Sequence, residues 1–419
     1  MTFSAAGDAE RHLSIDAVRG FAVLGILVMN IVGMGMPAYA YDDPTFYGGH
    51  AGADLWTWAI ANLLVEGKMR SLFAMLFGAS AALMAERASG RPGPATLHYR
   101  RMVWLFVFGL VHAYLLWWGD ILTLYAVAGL FIFPLRKARP ALLIGLGVVL
   151  LLGFVALNLS HPLGVQALVR AAAASGDRDL AAQAQWQVDA LRASPAIAAE
   201  QIAGFGGGFM DALRARMDVA IWLQIGPDAM TWPLESLGLM ILGMGLYRLG
   251  FFTLGWRTGS YLKLMAVGYL VALPVAAALI WRIWKSGFDP LTLTLLGAWQ
   301  ASTWAVIGLA HASALLLLIR SGAAQTLVRL LAAAGRMALS NYLVTSLITT
   351  LLFCGFGLGL YGKLSRFELM GVVAGIWAFI LIWSAPWLSR FCYGPFEWLW
   401  RSLVRWKLQP FRRSSQATQ

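Results

Sequence analysis

The chain has 419 residues, 59% of them apolar and only 12% charged, with a formal net charge of +12. Soluble domains carry about 25% charged residues, so this composition excludes an ordinary soluble domain and indicates a membrane protein. The basic residues sit in short clusters between apolar runs, an orientation pattern that argues against a nucleic-acid partner.

Apolar runs of about 20 residues predict an all-α polytopic bundle of about ten transmembrane helices. Their approximate positions are 17–36, 55–86, 101–117, 120–135, 140–159, 231–248, 262–282, 289–319, 337–358 and 367–389. The first opens with SIDAVRGFAVLGILVMN. Ser14 is placed to cap the helix, and Asp16 and Arg19, three apart, can pair on one face. That pair reads either as an orientation signal or as part of a site. Asn30, deeper in the run, reads as a helix–helix hydrogen bond or a ligand contact. Ala38-Tyr39-Ala40 resembles a signal-peptidase site, but Asn30 and Pro37 interrupt the run before it, so the segment is expected to stay. His50 follows in the first outer loop, either as a plain loop histidine or facing an outer vestibule.

The second run, GADLWTWAIANLLVEGKMRSLFAMLFGAS, begins at Asp54 and carries Glu66, Lys68 and Arg70. Lys68 lies roughly 21 Å of helix beyond Asp54, a depth at which a cation needs a partner, water or a ligand. Gly67 is expected to interrupt the helix and free backbone amides for an anion. The cluster reads as an anion-binding locus or as an internal ion-pair network. The third and fourth runs share GLVHAYLLWWGDILTLYAVAGL. One reading makes His112 a core histidine and Asp120 a helix cap. The other makes His112 a general base that Asp120 orients, beside Trp118.

Residues 160–230 are Ala-rich with charges at helical intervals, and predict two or three amphipathic helices forming an outer lid. Further on, Glu235 stands near the start of the sixth run. In GRMALSNYLVTSL, Asn341 is a candidate cavity liner beside Tyr342. The tail FEWLWRSLVRWKLQPFRRSSQATQ reads as an interfacial helix on an anionic inner leaflet, with a disordered end at 412–419. His12, His98, His161 and His311 show no metal spacing, and Cys354 and Cys392 form no CxxC, so no metal or disulfide framework is expected. GLVHA near 110 echoes GLAHA near 308, without a strict internal repeat.

Counting Lys and Arg places both termini in the cytoplasm. Arg11, Arg19, Arg91, Arg100, Arg101 and most others fall in inner segments, whereas the short outer loops hold only Arg282, Lys285, Lys363 and Arg366. The expected organisation is an N-terminal bundle (1–160), an outer amphipathic segment (161–230), a C-terminal bundle (231–392) and a cytoplasmic tail (393–419).

SIDAVRGFAVLGILVMNI, GKMRSLFAMLFG, GLVHAYLLWWGDILTLYAVAGL, GRMALSNYL and RFCYGPFEWLWR together resemble the YeiB-like family of bacterial inner-membrane proteins, over nearly the whole chain. Only 160–230 carries no matching motif. The first four runs further resemble the transmembrane acyltransferase superfamily, which includes the lysosomal heparan glucosaminide acetyltransferase and the bacterial acyltransferase-3 proteins. That resemblance implies an acyl-CoA donor entering from the cytoplasm and an acceptor on the far side. Acyltransferase-3 proteins often end the corresponding first span with histidine, where this chain has Asn30. His112 and Asp120 stand in the family's own H…GDIL motif, which implies a functional pair.

The expectation is therefore an inner-membrane acyltransferase. Lys68, Arg70 and Arg19 attract donor phosphates. His112 deprotonates a small-molecule or glycan acceptor, and Asp120 orients it. Asp16, Asn30, His50, Asp54, Glu66, Trp118 and Asn341 complete the candidate site. No tightly bound cofactor is expected, acyl-CoA being a co-substrate, and the partners are membrane lipids, donor and acceptor. The alternatives are a transporter or exporter of a small anionic or amphipathic solute, with His112–Asp120 as a proton relay, and a non-catalytic protein or homodimer built through the tail.

Overall fold

The structure, a computed structural model, describes residues 5–87, 93–226, 229 and 231–413. The expectations on Arg91, on the side chains of Arg11 and His12, and on tail residues 414–419 lie outside the described residues. Every extended element among the described residues is helical. α1 (Ala5–Gly35) leads through a 3-10 turn (Ala38–Tyr41) to α2 (Gly52–Leu64) and α3 (Lys68–Arg87). α4 (Pro94–Leu115) and α5 (Leu122–Ile132) form a hairpin before the long α6 (Pro140–Ser175). Three amphipathic helices follow: α7 (Arg178–Asp189), α8 (Pro195–Gly206) and α9 (Phe209–Ile225). The second half holds α10 (Thr231–Arg248), α11 (Thr258–Val267), a π turn (Gly268–Ala272), α12 (Leu273–Lys285) and α13 (Pro290–Arg320). It ends with α14 (Gln325–Arg336), α15 (Ala338–Phe353), α16 (Arg366–Arg390) and α17 (Pro395–Arg405).

Among the described residues, six lengths are long and apolar enough to cross a membrane: Leu13–Gly35, Gly52–Arg87, Pro140–Ser175, Thr258–Lys285, Pro290–Arg320 and Arg366–Arg390. The expectation of about ten spans is therefore not confirmed. The runs at 101–117, 120–135, 231–248 and 337–358 became helices that fall short in length or apolarity. α5 has 11 residues and α15 has 16, below the roughly 20 that a spanning helix needs. α10 is enclosed on nearly all sides, packing against both α6 and α3. α4, by contrast, presents Val103, Phe106, Val107 and Val111 outward, and hydropathy alone does not separate burial against protein from burial in lipid.

Burial sorts the long helices into two rings. The windows in Leu13–Gly35 and Gly52–Arg87 are 61% and 56% buried, whereas those in Pro140–Ser175 and Thr258–Lys285 are 22% and 17% buried. The latter present Val149, Leu152, Leu270 and Val271 outward, as helices facing lipid do. At the centre α3 and α10 touch backbone to backbone. A Cβ added at Gly78 would strike the Met240 carbonyl, and one at Gly243 the Met75 carbonyl, the small-residue contact that brings membrane helices close.

Other local expectations changed on folding. Ser14 does not cap α1, which begins upstream; its hydroxyl donates to Phe252 O at 2.7 Å. α6 runs unbroken through residue 160, so part of the 160–230 segment continues a spanning helix. The tail helix α17 docks on α4 and α15. Its Glu397 carboxylate accepts from Leu339 N (2.8 Å) and Ser340 N (3.1 Å), capping α15 from another element.

Candidate functional site

The second span does break. After Val65 the chain turns through Gly67 at φ +71°, and α3 restarts at Lys68. Only glycine suits this position, because the backbone is left-handed and an added Cβ would run into the Trp304 ring. The break leaves carbonyls at the end of α2 without helical partners. Lys68 Nζ donates to Asn62 O at 2.6 Å, and His311 Nε2 meets Leu64 O at 3.0 Å. Lys68 is fully buried and does not border the hollow described below. The cation that does is Arg70, which pairs with Glu235 and lies 4.2 Å from the Trp232 ring centroid. Glu66 also borders the hollow and accepts from Tyr41 O–H at 2.8 Å.

That hollow has a volume of about 1680 Å³. Ile197, Gln201, Val219 and Trp222 of α8 and α9, from the segment expected as a lid, also border it. This segment is anchored by Gly355 N donating to Phe205 O (2.8 Å), by Ala38 N donating to Gln201 Oε1 (2.8 Å) and by the Phe205–Tyr361 ring contact (4.6 Å). Asn30, Trp118, Asp120 and Tyr342 also border the hollow.

The α4–α5 turn brings His112 and Asp120 together. His112 Nδ1 stands 2.8 Å from Asp120 Oδ1, and its Nε2 stands 2.8 Å from Ser346 Oγ on α15. Asp120 Oδ2 accepts from Thr123 N and Thr123 Oγ1, each at 2.7 Å. One carboxylate thus takes up an amide in the first turn of α5 and holds the imidazole. Ser346 Oγ also lies 3.2 Å from Tyr342 O. With a neutral imidazole the hydroxyl donates to Nε2. With an imidazolium it accepts from Nε2 and donates to the carbonyl. Turning one hydroxyl therefore satisfies both protonation states. His112 and Ser346 are fully buried behind Tyr342, whose ring lies 4.7 Å from the imidazole.

The remaining candidates are dispersed. Asp16 pairs with Arg19 at 2.8 Å, and Arg19 also donates to Ser80 Oγ, away from the hollow. His50 is exposed and does not border the hollow. Asp54 caps the start of α16 by accepting from Phe367 N at 2.8 Å. Asn341 does not line the cavity: its carboxamide is spent on Ala334 O, Ser384 Oγ and the Trp383 indole, fastening α14, α15 and α16.

Sequence reasoning missed Ser346, which reaches His112 only through the tertiary fold. It also missed Asp42, in the turn before α2. The Asp42 side chain is open to the hollow. The protein around it, then Glu66 and Asp43, push its carboxyl up to about 7 against the pull of Arg366 and Arg70. The AYAYDDP stretch carries that carboxylate next to a proline turn, a signal readable only as a loop.

A family model described as "Protein of unknown function (DUF418)" matches residues 246–407, which include Ser346 and the α15 face of the site. The chain is 33% identical to the protein named "Uncharacterized protein YeiB" of Escherichia coli (strain K12), covering 94% of this chain and 96% of that one. It is 27% identical to "Uncharacterized protein YxaH" of Bacillus subtilis (strain 168), over 97% of each chain. A third relative, "Uncharacterized 39.9 kDa protein in amylase 3'region" of Bacillus acidopullulyticus, is 25% identical over 94% of each. No solved structure gives a significant match.

Proposed function

The chain belongs to the YeiB-like family, and from that premise we propose that it is a membrane-embedded acyltransferase whose lidded hollow receives the acceptor. The observation that carries this reading is the hydrogen-bonded chain Asp120–His112–Ser346, of which Asp120 borders the hollow. It has the order of orienting carboxylate, base and hydroxyl that activates a nucleophile in acyl transfer. Ser346 passes the acceptor's proton to His112, and Asp120 stabilises the imidazolium that forms. Because His112 and Ser346 are buried, contact with the acceptor requires Tyr342 to swing from the wall. The donor belongs at the opposite end, where Arg19, Arg101, Arg401 and Arg405 repel one another and suit the phosphates of an acyl-CoA-like molecule.

The test is label transfer from radioactive acetyl-CoA and longer acyl-CoAs to a bacterial envelope extract by purified protein. The wild type is expected to label an acceptor. His112→Ala is expected to lose at least about 100-fold in rate while keeping its fold by thermal melting. Absence of binding, hydrolysis and transfer with every acyl-CoA would overturn the reading.

A second reading, a proton-coupled carrier of an amphipathic solute, is favoured by the satisfaction of both imidazole nitrogens inside the wall. Proton-dependent solute uptake in proteoliposomes, without any covalent change to the solute, would establish it.

A further inference from the structure

Charge decides what the hollow can hold. Its wall carries the carboxylates of Asp42, Asp43, Glu66, Asp120, Glu200 and Asp218, against the guanidiniums of Arg70 and Arg192 and the imidazole of His161. Arg70 is paired through Nη1 with Glu235, while its buried Nη2 has no hydrogen-bond partner among the described residues. Asp120 is engaged by His112 and Thr123, and Glu66 by Tyr41. Asp42, Glu200 and Asp218 make no side-chain hydrogen bond or ion pair with any described residue. A polyphosphate entering here would meet an excess of like charge.

A second observation comes from α13. Gln300 is 4% exposed, borders the hollow, and its carboxamide has no hydrogen-bond partner among the described residues. A carboxamide at that depth has donors and an acceptor to satisfy, and it offers them to whatever fills the hollow, water or a ligand's polar group. The same hollow is bordered by the indoles of Trp118 and Trp222, with Trp58 and Trp117 more deeply buried in its wall, flat apolar groups whose faces attract positive charge.

From these features we infer that the hollow selects an organic cation: an ammonium-bearing amphiphile with its apolar part against the indoles and its charge toward Asp42 and the lid carboxylates. Gln300 takes up the ligand's polar group. This rests on the reading of the hollow as the acceptor site and narrows the acceptor to a cationic one. Asp42 makes the selection pH-dependent. Glu66 and Asp43 oppose its ionisation, Arg366 and Arg70 favour it, and its carboxyl stands at about 7. A cation binds the ionised form, so affinity is full at higher pH and is lost as pH falls through about 7.

The experiment is calorimetric titration of the purified full-length protein, in a non-ionic detergent at pH 8. The probes are benzyltriethylammonium, p-toluenesulfonate and benzyl alcohol. The ammonium is expected to bind at least about tenfold more tightly than either of the others. Asp42→Asn is expected to weaken it about tenfold, and Glu200→Gln, on the lid, in the same direction. Moving from pH 8 to pH 6 weakens the wild type about tenfold and leaves Asp42→Asn nearly unchanged. Because the Asp42 side chain makes no hydrogen bond with any described residue, its replacement by Asn is expected to leave the fold intact, and a melting curve checks this. Equal or tighter binding of the sulfonate overturns the inference, as does ammonium binding indifferent to both substitutions and to pH. The outcomes separate from those of the transferase reading. Cation selectivity without any acyl transfer keeps the inference and removes the enzyme. Acyl transfer to a neutral or anionic acceptor, with no preference for the ammonium, does the reverse.

Discussion

His112 is held from both sides, and what its neighbours contribute can be separated by substitution. Ser346→Ala leaves Nε2 without a partner, a loss of about 1–2 kcal/mol in stability. If the hydroxyl also relays the acceptor's proton, turnover per folded molecule falls by at least about tenfold. If it only fills space, melting shifts by the same amount and turnover per folded molecule holds. Comparing the two readouts on one preparation distinguishes these cases. The pairing of His112 with Asp120 was legible from the chain, because a tight turn between two apolar runs returns the second helix beside the first. Ser346 was not. It lies 234 residues from its partner, and an isolated serine in an apolar helix carries no sign of what it faces. Lys68 shows the reverse error. A lysine deep in an apolar run invites a ligand, yet a backbone carbonyl freed by the neighbouring break satisfies it.

The broken span organises the site more than any single side chain does. Gly67 lets α2 end and α3 restart, which places Glu66 and Arg70 at the hollow. Gly67→Ala is expected to cost about 2 kcal/mol or more, from the left-handed backbone and the collision with Trp304, as read from melting in detergent. At the other end, Glu397 on α17 caps α15, the helix that carries Tyr342 and Ser346. Glu397→Ala orphans two amides and is expected to cost about 1–2 kcal/mol. Glu397→Gln keeps one carbonyl acceptor for them and is expected to cost less. Equal losses for both would assign the effect to packing instead of capping. The break at Gly67 and the helices of the 160–230 segment were readable because glycine and charge spacing act locally. The docking of α17 on α4 and α15 was not, since a Trp- and Arg-rich amphipathic helix suits a lipid surface as well as a protein one.

Across the molecule the sequence pattern indicated a helical membrane protein, and its count of about ten spans is not confirmed. α10 is apolar because protein surrounds it, whereas α5 and α15 also present Phe131, Leu347 and Leu351 outward, and hydropathy does not separate burial in protein from burial in lipid. The distribution of charge was likewise hidden. The chain as a whole is strongly basic, yet the hollow's wall is acidic, because the carboxylates that converge there come from the first turn, the helix break, the α4–α5 turn and the 160–230 segment. The account assigns the two ends of the bundle opposite tasks, cationic for a donor and anionic for an acceptor, with the His112 relay between them. The most direct measurement is a cryo-electron microscopy map of the protein with a non-hydrolysable thioether analogue of acyl-CoA. The account predicts phosphate density among Arg19, Arg101, Arg401 and Arg405, and an acyl chain directed toward Ser346. Phosphates lodged in the lidded hollow beside Asp42 and Glu66, or an analogue bound with its chain turned away from His112, would contradict it.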